Sequence, residues 1–344
     1  MFDGLIQQFS GALVILEFIL GLFIYWAPFV FGFVLWNMWR RFLLRKYLSN
    51  MKWSMIEIKI PKDIKKTPLA MEVVLAAFYQ KSTGPWTDQL FKGRVRDWFS
   101  LEIVSIEGSI HFFMRMPSAY KNFIEAHIYA QYPSAEVYEV SDYARRIDYR
   151  DKNSSWQPWG LEYILTEEDP LPIATYKDFG LDKEGVKEEE KVDPLASMLE
   201  TLGSCGKGEQ MWLQIMIQFS GDRYHKPGTR NKKQNWVAEG QKIIKEIEDK
   251  YKKSGGAASD LQMTLSDKAK IQAISRNISK IGFDTGIRGM YWVHKDTEFD
   301  VSKVKGVLGL FALFRLDSFN GFKTNNETGF GYPWQDVMGI RVQG

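Results

Sequence analysis

Residues 98–116 read WFSLEIVSIEGSIHFFMRM, and their alternation decides how the rest of the chain is read. Over 99–106 apolar side chains recur with the period of a strand. Glu107, Gly108 and Ser109 supply a turn, and Ile110, Phe112, Met114 and Met116 then share one face of a second strand. That pair predicts a hairpin. Upstream, Ile56, Ile58 and Ile60 alternate with Glu57 and Lys59 until Pro61 ends the strand. Thr67 and Pro68 offer an N-cap and a first turn to a helix carrying Leu69, Met71, Val74, Leu75 and Phe78. A loop with Gly84, Pro85 and Gly93 leads into the hairpin. Downstream, Tyr120, Phe123, Ile124, His127 and Ile128 recur at helical spacing, Pro133 closes that segment, and 135–140 reads as a last strand. The order β-α-β-β-α-β predicts a ferredoxin-like domain over 52–150, with Ile58, Phe112, Phe123 and Ile124 in one core.

The second half repeats parts of this pattern. Trp156, Pro158, Trp159 and Gly160 read as a connector and 161–166 as a strand, while the acidic run 182–190 reads as a solvated loop. Asp193, Pro194, Leu195, Ala196 and Met198 then echo Thr67, Pro68, Leu69, Ala70 and Met71, again ahead of a strand, here 211–219. The echo suggests an internal duplication with insertions. Helices are predicted over 233–252 and from about 266, with a linker over 254–259 between them. A strand over 287–294 and a helix over 300–316 complete the pattern. A second, related α/β domain is thus expected over 151–344.

Ahead of both lies a run without Asp, Glu, Lys or Arg, residues 18–39, followed at once by Arg40, Arg41, Arg45 and Lys46. About 22 residues at 1.5 Å rise give about 33 Å, the thickness of a bilayer core. The expectation is a single transmembrane helix within 1–51, with Trp36 and Trp39 at its interface and a basic juxtamembrane stretch. By the positive-inside rule the N-terminus lies outside and the bulk of the chain in the cytoplasm, at the inner membrane. The fold class expected is α+β, with this helix in front of the two domains.

Composition narrows the function. The net charge of +3 is mild, the single Cys205 excludes an intrachain disulfide, and 12 Trp, 23 Phe and 15 Tyr are enough to fill compact cores. Gly203 to Gly208 lacks the spacing of a phosphate-binding loop. His111, His127, His225 and His294 are too scattered to announce a metal site, and no nucleophile elbow is present. No catalytic, cofactor or metal residue is therefore expected. Two basic features remain. Arg40, Arg41, Arg45, Lys46 and Lys52 suit an anionic membrane surface. Arg223, Lys226, Arg230, Lys232 and Lys233, with Tyr224 and His225, suit an anion or nucleic-acid phosphate. Phe112 and Phe113 lack the glycines and spacing of an RNA-binding strand.

Together with the apolar segment, WSMIEIKIP (53–61), TPLAMEVVL (67–75), WFSLEIVSIEG (98–108) and FIEAHIYAQYPSAEVYEV (123–140) resemble the membrane-anchored N-terminal region of uncharacterised bacterial proteins associated with conjugation and type IV secretion ATPases. The resemblance is strongest over 53–143. It implies a non-catalytic component, or the N-terminal part, of a secretion or DNA-transfer machine. The lipid bilayer and a P-loop ATPase, in cis or in trans, would be its partners, and oligomerisation is compatible with that role. The motor itself is not in these residues. Two other readings are a membrane-tethered binding module for anionic lipid or nucleic acid, and a membrane-tethered enzyme with an unrecognised site.

Overall fold

A computed structural model describes residues 21–328, apart from 22, 60, 62–65, 81–83, 148–153, 183–192, 222–234, 253–262 and 317–318. Two compact units emerge, Met1–Met51 with Ser82–Arg96, and Lys52–Lys81 with Asp97–Gly344. Helices α1 (Phe23–Asn50), α2 (Leu69–Ala76), α3 (Trp86–Phe91) and α4 (Lys121–Gln131) accompany strands β1 (Trp53–Lys59), β2 (Trp98–Ile106), β3 (Ser109–Pro117) and β4 (Glu136–Val140). Beyond them come β5 (Trp156–Leu165), α5 (Pro194–Gly203), β6 (Glu209–Phe219), α6 (Trp236–Lys252), α7 (Leu265–Ile278), β7 (Phe283–His294), α8 (Val301–Gly309) and β8 (Phe322–Asn325).

The hairpin of β2 and β3 closes on the pair Ile106 and Ser109. Between them Glu107 and Gly108 have φ of 51° and 87°, the left-handed backbone that a two-residue hairpin turn demands. Gly108 also lies against the chain, because a Cβ there would sit 2.8 Å from the carbonyl oxygen of Cys205. Glu107 is held from outside. Its N–H donates to the Glu209 carbonyl at 3.0 Å, and its Oε1 accepts from the Gly208 N–H at 3.0 Å.

All eight strands form one antiparallel sheet in the order β4-β1-β3-β2-β6-β7-β5-β8. Each half runs β-α-β-β-α-β, and the second half repeats the first half's strand order in mirror sequence about the β2–β6 seam. Helices α6 and α7 are inserted between β6 and β7. The echo of Pro68 and Pro194 falls at the start of the corresponding helices α2 and α5. Asp193 caps α5 by accepting from the Leu195 N–H at 2.9 Å, whereas Thr67 contributes its carbonyl, to the Ala70 N–H at 3.1 Å.

Alternation sends one set of side chains to the helical face. Ile56, Phe99, Met114 and Met116 pack with Val74, Phe78, Ile124 and Ile128 in the first half. Leu161, Met211, Leu213 and Tyr291 pack with Met198, Leu202 and Val307 in the second. Ile215 touches both clusters, so the two cores meet at the seam. The expected core needs correction at two positions. Phe123 is 43% exposed and lies edge-on to His127, and Phe112 is 39% exposed. The buried stripe of α4 is Ile124 and Ile128, one residue round the helix from the stripe that begins at Phe123.

The fold class is corrected at the N-terminus. Among the described residues no helix is long and apolar enough to cross a membrane. The described part of α1 begins at Phe23, and its first 18 residues take in Pro28 and Asn37 and run into Arg40, which lowers their mean hydropathy. Residues 18–20 and 22 of the expected span lie outside the described residues, as do the acidic run beyond 182 and the 254–259 linker. The supported class is α+β with an eight-stranded antiparallel sheet. Strand β5 also begins earlier than expected. Pro158, read as a connector, is tolerated because this end of β5 pairs with β7 and not with β8, which meets only Glu162 to Leu165.

Candidate functional site

Helix α1 has no acidic residue along its 28 positions and carries four cations in its C-terminal half. Arg40, Arg41, Arg45 and Lys46 are all exposed. So are the large apolar groups before and among them: Phe29 is 80% exposed, Phe33 69%, Leu35 64% and Phe42 55%. At 100° per residue Phe29, Val30, Phe31, Val34, Leu35 and Trp36, all exposed, fall on every side of the helix. An apolar surface of this kind marks an interaction site, since a helix that is hydrophobic all round needs a covering medium or partner. Trp39 and Phe42, 6.0 Å apart, place aromatic rings among the cations. Lys52, in the other unit, is exposed as well. Arg223, Lys226, Arg230, Lys232 and Lys233 lie outside the described residues.

The sheet has a second face, opposite its helices, and cross-strand register builds a polar row there. Glu57 stands opposite Phe113, Phe113 opposite Glu102, Glu102 opposite Gln214, Gln214 opposite Arg288, and Arg288 opposite Glu162. The connection after β4 lies on this face at 141–147, where Tyr143 and Ile147 pack with Val104, Phe113, Trp212 and Trp292. Tyr143 stacks on Phe113 at 5.2 Å and meets Trp212 edge-on at 4.8 Å. Its hydroxyl donates to Glu102 Oε2 and accepts from Gln214 Nε2 at 2.6 Å. The same Nε2 is 3.0 Å from Glu102 Oε2, and Arg288 Nε donates to Gln214 Oε1 at 2.6 Å.

This network bridges the halves, joining Glu102 and Tyr143 of the first to Gln214 and Arg288 of the second. Burial and the Glu102 carboxylate together hold the Tyr143 hydroxyl well above the ordinary phenol range, so it stays protonated. Through Tyr143 these groups tie the 141–147 segment to the sheet. Cys205 offers no reactive thiolate, because burial pushes its thiol up to about 11. Among the described residues no group of three or more His, Cys, Asp or Glu could hold a metal ion. Sequence reading missed Glu102, Tyr143, Gln214 and Arg288 because strands far apart in sequence bring them together, across the seam and within each half. Alternation did place Glu102 on the face away from the helices.

Comparison with protein-family models, curated proteins and solved structures finds no match for this chain.

Proposed function

We propose that the chain is a non-catalytic attachment module that binds an anionic lipid surface through the end of α1 and presents its sheet to protein partners. One observation carries the reading: exposed aromatic groups and four exposed cations share the last turns of a helix that has no acid. Aromatic rings with Lys and Arg favour the headgroup region of a bilayer. The resemblance of 53–143 to regions that precede conjugation and secretion ATPases supports a place in such a machine, beside a P-loop motor.

The test is co-sedimentation of the full chain with vesicles of phosphatidylcholine alone or mixed with phosphatidylglycerol. Binding is expected to require the anionic lipid and to weaken as salt rises. Each cation contributes about 1 kcal/mol near such a surface. Replacing Arg40, Arg41, Arg45 and Lys46 together by Gln is therefore expected to cost at least about tenfold in affinity. Equal binding to both vesicle types, or an unchanged quadruple variant, overturns the proposal.

A further inference from the structure

The last two turns of α1 face α3 across a cleft of about 500 Å³. Leu43, Lys46, Tyr47 and Asn50 line it from one side, at the i, i+3, i+4, i+7 spacing that puts four residues on a single helix face. Phe91 and Lys92 line it from the other, with Met51 between. Glycine sets the closeness of the two walls. Gly93 has φ +67°, and a Cβ on it would lie 2.5 Å from the carbonyl carbon of Leu43 and 2.6 Å from its oxygen. No other residue admits that approach without displacing backbone.

The lining is chemically divided. Its polar lining is two ammonium groups, a phenol and an amide, and its apolar lining is Leu43, Met51 and the Phe91 ring, which is 57% exposed. Among the described residues no carboxylate lines it. Asp88 pairs with Lys92 at 2.8 Å from one helical turn back, which holds that ammonium in place and partly offsets its charge. Two cations beside apolar side chains complement a phosphate joined to hydrocarbon. We infer that this cleft is a seat for the headgroup of an anionic phospholipid. Lys46 and Lys92 pair with the phosphate, Tyr47 and Asn50 hydrogen-bond to its oxygens, and Phe91 and Met51 cover the glycerol and the first methylenes of the acyl chains. The inference rests on the lipid-surface reading above and adds a defined binding site to it.

The probes are soluble dihexanoyl-phosphatidylglycerol, glycerol phosphate and inorganic phosphate, titrated into the full chain by isothermal calorimetry, with vesicle co-sedimentation run in parallel. The short-chain lipid is expected to bind at least about tenfold more tightly than glycerol phosphate, because only it has acyl chains to meet the apolar lining. Lys46→Gln with Lys92→Gln should abolish that binding, and Asp88→Asn should strengthen it severalfold by freeing Lys92. Phe91→Ser should weaken the lipid and leave glycerol phosphate unchanged, a result that misfolding does not mimic. Equal affinity for inorganic phosphate and the short-chain lipid overturns the assignment to lipid. Vesicle binding without any binding of the short-chain lipid overturns the cleft but leaves surface attachment standing, whereas loss of both removes the reading on which the cleft depends.

Discussion

The two halves of the sheet reach the same strand order through different connections. From β2 to β3 the chain turns in two residues, whereas from β6 to β7, the corresponding pair, it makes the helical insertion α6 and α7. The ends are nevertheless closed alike, Ile106 facing Ser109 in one half and Phe219 facing Phe283 in the other. Strand order therefore follows from which faces are apolar, not from loop length, whose entropic cost rises only logarithmically. The insertion is itself secured to both halves. Lys280 pairs with Glu72 of α2, and Asn277 Nδ2 donates to the Pro170 carbonyl at 3.0 Å.

The strongest challenge to this equivalence is mutation of the two cores. Ile124 in α4 and Leu202 in α5 are both fully buried, so Ile124→Ala and Leu202→Ala should each cost about 2–5 kcal/mol. Because the seam pairs β2 with β6 along all nine residues of β2, both variants should shift one common urea transition. A biphasic curve, with each variant moving a different phase, would show that the halves melt separately.

A smaller effect is expected where the halves are tied together across the open face. Tyr143→Phe removes a donor from buried Glu102 and should cost about 1–3 kcal/mol. The same residue gives a pH dependence of definite sign. Burial raises the hydroxyls of Tyr143, Tyr163 and Tyr291 above the phenol range. As pH climbs past about 10 the unfolded chain releases these protons while the folded chain keeps them, so stability falls. Each tyrosine contributes up to about 1.4 kcal/mol per pH unit in that window. Tyr143→Phe should flatten the alkaline slope of urea midpoints, and an unaltered slope would place the residue outside the buried network. Least disruptive should be Phe123→Ala, at most about 1 kcal/mol, since its ring is 43% exposed. A loss comparable to that of Ile124→Ala would return Phe123 to the core.

The contrast between these residues shows what local pattern reveals. The β2–β3 hairpin was legible because period-two alternation and a turn glycine coincide in one short stretch. The paired helix starts at Pro68 and Pro194 were legible because proline suits the first turn of a helix. Phe123 misled because two overlapping stripes, one residue apart, fit the same helical spacing, and only packing against Ile56 and Met116 selects Ile124 and Ile128. The six residues of α3 are too few to show a period, so the wall that Phe91 and Lys92 give the cleft was invisible, although Lys46 on the other wall stood out within its basic cluster. The β2–β6 seam left no local trace, since its strands lie about a hundred residues apart, and with it went the network of Glu102, Tyr143, Gln214 and Arg288. The charge-free run of α1 misled differently. It satisfied a count of charges, while Pro28 and Asn37 lowered the hydropathy that such a count ignores.

The seam also orders events during synthesis. A growing chain has β1 to β4 in hand before β6 exists, and domains fold as their residues emerge. In that interval β2 is an outer strand, its backbone N–H and C=O groups from Trp98 to Ile106 still without the neighbour that β6 will supply. Open edges recruit whatever strand arrives first. On a crowded messenger the β6 of an adjacent, further-grown chain competes with the chain's own, so the register that unites the halves of one molecule equally permits two molecules to exchange them.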